Sequence, residues 1–159
     1  MEKVIEILSK WLHTVSMVIM GVMGLLITVD VMGRKFFKSP ILGTVDLTQV
    51  GLALMVFLSL AYTHLKNEHI SVDFIVEKFS ERVRWIFEIL INIVIALIMI
   101  VVSWSLFDNA MRIYESNTVT GDLGLPLHYF VLVSMLGTVV LTLTSFVLCF
   151  KYVGRVMKK

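Results

Sequence analysis

Residues 85–107 read WIFEILINIVIALIMIVVSWSLF, with Glu88 the one charged residue in the run. As a helix these residues extend about 35 Å, enough to cross a bilayer core of about 30 Å. No water is present there to satisfy backbone N–H and C=O groups, so an isolated apolar run of this length has to be helical. Three further runs flank it: WLHTVSMVIMGVMGLLITVDVM at 11–32, LTQVGLALMVFLSLAYT at 47–63 and LHYFVLVSMLGTVVLTLTSFVLCF at 127–150. The second is short, but Ile41 and Leu42 add apolar surface just before it. The pattern predicts one all-α integral membrane domain over 1–159, with four transmembrane helices at about 11–33, 46–64, 84–107 and 127–150 and short amphipathic helices at the interface.

Composition agrees. The chain is 58% hydrophobic and 16% charged, against about 45–50% and 25% in a soluble domain. A net charge of +2 gives no reason to expect a nucleic-acid partner. Cys149 is the single cysteine, so no internal disulfide forms.

Lys and Arg are unevenly shared between the two ends of the spans. Ten flank the side that holds both termini and the 66–84 segment, and four (Arg34, Lys35, Lys38 and Arg112) flank the other. The positive-inside rule then puts both termini in the cytoplasm. The first apolar run is long enough to span and no small-residue cleavage site follows it, so no removable signal is expected.

Between the spans the chain is punctuated. Ile5, Leu8, Trp11 and Leu12 recur at helical spacing and make an amphipathic lead-in to helix 1. With it, helix 1 reaches about 48 Å and has to tilt, bend or project. Helix 1 ends near Gly33, where Asp30 and Arg34 stand four apart and can pair. In SVDFIVEKF (71–79), Val72, Ile75, Val76 and Phe79 share one face, which suggests a short interfacial helix capped by Ser71. Ser80 is a candidate cap for helix 3, which is expected to run to about Tyr114, and Pro126 suits the start of helix 4. Trp11, Trp85, Tyr129 and Tyr152 fall near span ends, where aromatic rings anchor helices in the headgroup layer.

Few polar residues lie inside the spans. Asn92 in helix 3 is the clearest, a candidate for an interhelical hydrogen bond or an ion contact. Ser134, Gly137, Thr138, Thr142 and Ser145 form a small-residue stripe on helix 4 that would let a neighbour approach closely. Asp30, Arg34 and Asp46 are candidates for a polar network at the membrane boundary, and Asp46 also complements the dipole at the start of helix 2.

The chemistry-bearing residues do not assemble into a catalytic motif. Glu68, His69 and Asp73 in NEHISVD (67–73) lack the thiolate and fourth ligand of a structural zinc site. His13 and His64 on neighbouring helices raise a haem-binding membrane anchor, but no second pair lies deeper. Proton-coupled transporters bury an acid near the midplane, whereas Asp30, Asp46 and Glu88 all stand near span ends. A redox anchor and a self-sufficient small transporter remain the rival classes to a non-catalytic subunit with no cofactor or metal.

Particular stretches carry a resemblance. GRKFFKSPILGTVDL (33–47) resembles the turn from helix 1 to helix 2 in the small, DctQ-like membrane subunit of TRAP (tripartite ATP-independent periplasmic) transporters. Arg34, Phe36, Phe37 and Pro40 match that pattern, and Asp46 stands where the family usually has glutamate. His69, Ile70, Val72 and Asp73 match its H-I-x-V-D signature, and GLPLHY (124–129) resembles its glycine-x-proline approach to helix 4. The likeness runs in order over nearly the whole chain, and within the family it is nearest to the sialic-acid branch. It implies a multi-pass subunit of the bacterial inner membrane that performs no chemistry itself. It also implies two protein partners: a large multi-spanning elevator subunit that carries substrate and sodium ions, and a periplasmic substrate-binding protein. Arg34, Lys35, Lys38, Arg112, Glu115 and Asp122 then become the candidates for docking that binding protein. His69 and Asp73 become candidates for holding a cytoplasmic corner or meeting the large subunit.

Overall fold

The computed structural model describes residues 2–66 and 81–157. They form four long helices: α1 (Glu2–Met32), α2 (Thr44–Leu65), α3 (Glu81–Glu115) and α4 (Leu127–Met157). All four are long and apolar enough to cross a membrane. Glu68, His69, Asp73, the interfacial helix expected at 71–79 and the cap expected at Ser80 lie outside the described residues.

Each helix stops where local chemistry dictates. The α-helical part of α1 closes at Met32 and loosens into a π-helical turn, Gly33–Phe37. Lys38 follows in the left-handed region at φ 51°, and Pro40 bars any return to the helix. Gly43, at φ 81°, swings the chain into α2. A Cβ there would also strike the side chain of Leu123, so the position needs glycine twice over. α3 ends in a Schellman motif. Asn117 is left-handed at φ 48°, the Thr118 N–H reaches the Ile113 carbonyl at 3.1 Å and the Asn117 N–H reaches that of Tyr114 at 3.2 Å.

The helices pack in a row, α1–α2–α4–α3, and α1 and α3 share no packed interface among the described residues. α4 is central, with 50% of its most apolar stretch buried against 11% for α1 and for α3. Its buried face runs through Ser134, Thr138, Leu141, Ser145, Leu148 and Tyr152. A small core forms where α2 crosses α4, from Ala61, Val140 and Leu141 with Leu12 packed against them. Gly137 sets that approach, since a Cβ there would collide with the backbone carbonyl of Phe57. The rest of the apolar surface, including Leu25, Leu97 and Val101, faces outward as lipid-crossing helices require.

Candidate functional site

The helix-bounded molecule has two ends. One carries the 33–43 and 116–126 loops and is called here the loop end; the other carries both termini.

At the loop end two buried carboxylates hold the loops. Asp30 accepts from Arg34 Nε at 2.7 Å through Oδ2 and from the Ile41 N–H at 2.8 Å through Oδ1, which ties the end of α1 to the turn into α2. Asp46, in the first turn of α2, accepts through Oδ2 from the N–H groups of Asp122 at 2.7 Å and Leu123 at 3.0 Å. The 116–126 loop is closed upon itself as well. Thr120 exchanges backbone bonds with Leu125 and Gly124, its hydroxyl takes the Leu125 N–H at 3.0 Å, and Leu127 donates to the Thr118 carbonyl. Beneath this lid, α2 and α4 border a cavity of about 390 Å³ reached by Asp46, Gln49, Phe57, Phe130 and Ser134.

Arg34 and Asp46 are therefore not partners of each other: each belongs to a separate clasp. All six docking candidates are exposed, but their charges differ in availability. Arg34 is engaged by Asp30, and Arg112 by Asp108 at 2.6 Å. Lys35 and Lys38 are the cations of this end with no carboxylate partner among the described residues; the Lys35 ammonium lies 6.0 Å from the Phe36 ring centroid. Phe36 and Phe37 beside them are 67% and 82% exposed, an aromatic edge between two free charges.

The small-residue stripe of α4 is buried, and its hydroxyls mostly return to their own helix. Ser134 donates to Phe130, Thr142 to Thr138 and Ser145 to Leu141. Thr138 also donates to its own helix, to the Met135 carbonyl at 2.8 Å, and in addition joins helices, with Ser103 Oγ of α3 2.8 Å from its Oγ1. Sequence reasoning passed over Ser103, although a serine set among valines in a membrane run is itself a signal.

At the terminal end, Asn92 of α3 is buried, and its amide reaches across to α2. Its Nδ2 donates to the Glu88 carbonyl at 2.8 Å, so Oδ1 is the atom that faces His64 Nε2 at 3.0 Å, and Nε2 carries the proton. His13 lies face to face with Tyr62, ring centroids 4.5 Å apart. The two histidines thus have separate structural occupations, one a hydrogen bond and the other a stack. Among the described residues no group of three His, Cys, Asp or Glu side chains is placed to hold a metal ion.

These features define a multi-pass helical membrane protein whose polar side chains clasp its loops and join its helices. Residues 23–153 match the family described as tripartite ATP-independent periplasmic transporters, DctQ component, and the chain belongs to that family. It is a small membrane subunit of a TRAP transporter, a component of a three-part system. Comparison with curated proteins gives no significant match.

Proposed function

We propose that this chain is the non-catalytic scaffold of a sodium-coupled TRAP transporter for an organic acid, of the sialic-acid type. On this reading the termini lie in the cytoplasm of a bacterial cell and the loop end faces the periplasm. The large partner subunit moves substrate and sodium ions, and this chain gives it a stationary neighbour and gives the binding protein a surface to meet. The observation that carries the reading is the doubly clasped loop end. Asp30 and Asp46 fix both loops to the helices, and among the described residues Lys35 and Lys38 at the rim have no carboxylate partner. A rigid rim with free charges suits a transient encounter, where charge steers approach and sets orientation. The sialic-acid assignment rests on the sequence resemblance alone.

Lys35→Glu with Lys38→Glu tests the docking role in proteoliposomes that contain both membrane subunits, a sodium gradient and the binding protein. Sialic-acid uptake is expected to fall while the two subunits still copurify. The defect should shrink as salt rises, because the Debye length is already about 8 Å at physiological strength. Normal binding-protein-dependent uptake by the double variant at low salt removes these lysines from the docking surface. Sodium-driven uptake of a different acid, with none of sialic acid, rejects the branch and leaves the scaffold role standing.

A further inference from the structure

At the terminal end, α1, α2 and α4 leave a cleft of about 160 Å³ between them, lined by Glu6, Leu65, Lys66, Val147, Leu148 and Lys151. Its floor is apolar and its rim carries two ammonium groups and one carboxylate. Among the described residues neither lysine forms an ion pair, with Glu6 or with any other acid. The Lys66 ammonium is held 5.6 Å from the Tyr62 ring centroid, which limits its wandering. Deeper on the face of α1 that holds Glu6, Ser9 Oγ and His13 Nδ1 are buried without a hydrogen-bond partner. Native proteins leave few such atoms unmet, and among the described residues nothing satisfies these two. Lys3, Lys10 and Arg155 are also exposed at this end.

A cleft at the end of membrane-crossing helices, apolar inside and cationic at its mouth, matches the two halves of a phospholipid. The rim has a net charge of about +1 from two lysines and one glutamate, which complements one phosphodiester with a neutral remainder. The geometry points to a bound anionic phospholipid, its phosphate between Lys66 and Lys151 and the start of an acyl chain against Leu65, Val147 and Leu148. The site would add a tie between α1 and the α2–α4 pair at this end, beside the His13–Tyr62 stack and the packing of Leu12. The inference needs only that the helices cross a membrane, not a given orientation or substrate.

The test uses the full chain in its membrane complex, reconstituted in nanodiscs doped with photoactivatable phosphatidylglycerol, phosphatidylethanolamine or phosphatidylcholine. Captured lipid is mapped by peptide mass spectrometry. Phosphatidylglycerol is expected to label peptides from the start of α1 and the ends of α2 and α4 in preference to the other two lipids. Lys66→Gln with Lys151→Gln should lower that capture about twenty-five-fold, since each basic residue near an anionic lipid contributes about a fivefold factor. Glu6→Gln should raise it, which keeps the test decisive if the double variant assembles poorly. Lys3→Gln with Lys10→Gln should leave it nearly unchanged.

Four outcomes overturn the proposal. Equal capture of phosphatidylcholine means ordinary annular lipid. Equal or greater capture of phosphatidylethanolamine means a zwitterionic headgroup site. Displacement by excess inorganic phosphate means a soluble-anion site. An equal loss in the Lys3 and Lys10 variant means a diffuse field in place of a site.

Discussion

Asp46 shows how one side chain spans the chain's length. It opens α2, yet its carboxylate is committed to backbone N–H groups 76 and 77 positions later. Charge-assisted bonds to N–H groups are stronger than neutral ones, and this one oxygen accepts two. Asp46→Asn keeps the shape and removes the charge; Asp46→Ala removes both acceptors. Amide hydrogen exchange at Asp122 and Leu123 is expected to quicken by about tenfold or more in Asp46→Ala and by less in Asp46→Asn. The same amides unchanged in Asp46→Ala would mean that the loop's own bonds, through Thr120 and Leu125, are sufficient. Glutamate, the residue the family pattern usually has here, adds one methylene, so Asp46→Glu should retain protection only if the 121–123 turn can move outward.

At the scale of the element, α4 depends on how closely α2 approaches it. Gly137→Ala puts a methyl group against the Phe57 carbonyl, a backbone atom that cannot step aside as a side chain would. Overpacking of this sort costs about 1–3 kcal/mol. Gly24→Ala on α1, where a Cβ meets open space, serves as the control and should be neutral or stabilising, since alanine favours the helix. Detergent unfolding should therefore come earlier in Gly137→Ala and no earlier than wild type in Gly24→Ala, and equal midpoints would deny Gly137 its role. This element was partly legible in the sequence, because small residues four apart are visible without a structure. The helices themselves were legible from the apolar runs, and helix 3, expected to run to about Tyr114, ends one residue later at Glu115. α3 extends to Glu81 and Glu115 because polar turns continue a helix that lipid has already nucleated, helped by the Asp108–Arg112 pair. Of the clasps, the Asp30–Arg34 pair was legible from its spacing of four, whereas the long-range partners were hidden. Asp46 with Asp122, and His64 with Asn92, are joined by tertiary register, and no local periodicity records which residues face each other across two helices.

At the scale of the whole molecule, the row α1–α2–α4–α3 leaves α1 and α3 as open edges, each mostly exposed to its surroundings. α1 is also about 46 Å long, half as long again as the bilayer core it crosses, so it tilts or projects at the terminal end. The proposed orientation places that end at the cytoplasmic leaflet, on the argument from charge. In the sequence, ten of the chain's 14 Lys and Arg fall in the segments that flank the spans on that side, and a translocated segment rich in basic residues is disfavoured. The loop end, with two of its four cations neutralised in ion pairs, is the easier one to carry across. Cysteine labelling reads this directly once the half-buried Cys149 is replaced by serine. In intact cells an impermeant maleimide is expected to label Lys38→Cys, exposed at the loop end, and not Arg155→Cys, exposed at the terminal end. Lysed membranes should label both, which shows that each position is reachable. Labelling of Arg155→Cys in sealed cells, with Lys38→Cys protected, would invert the molecule. The lysines at 35 and 38 would then face the cytoplasm, where no periplasmic binding protein could meet them, and the docking proposal would fall with the orientation.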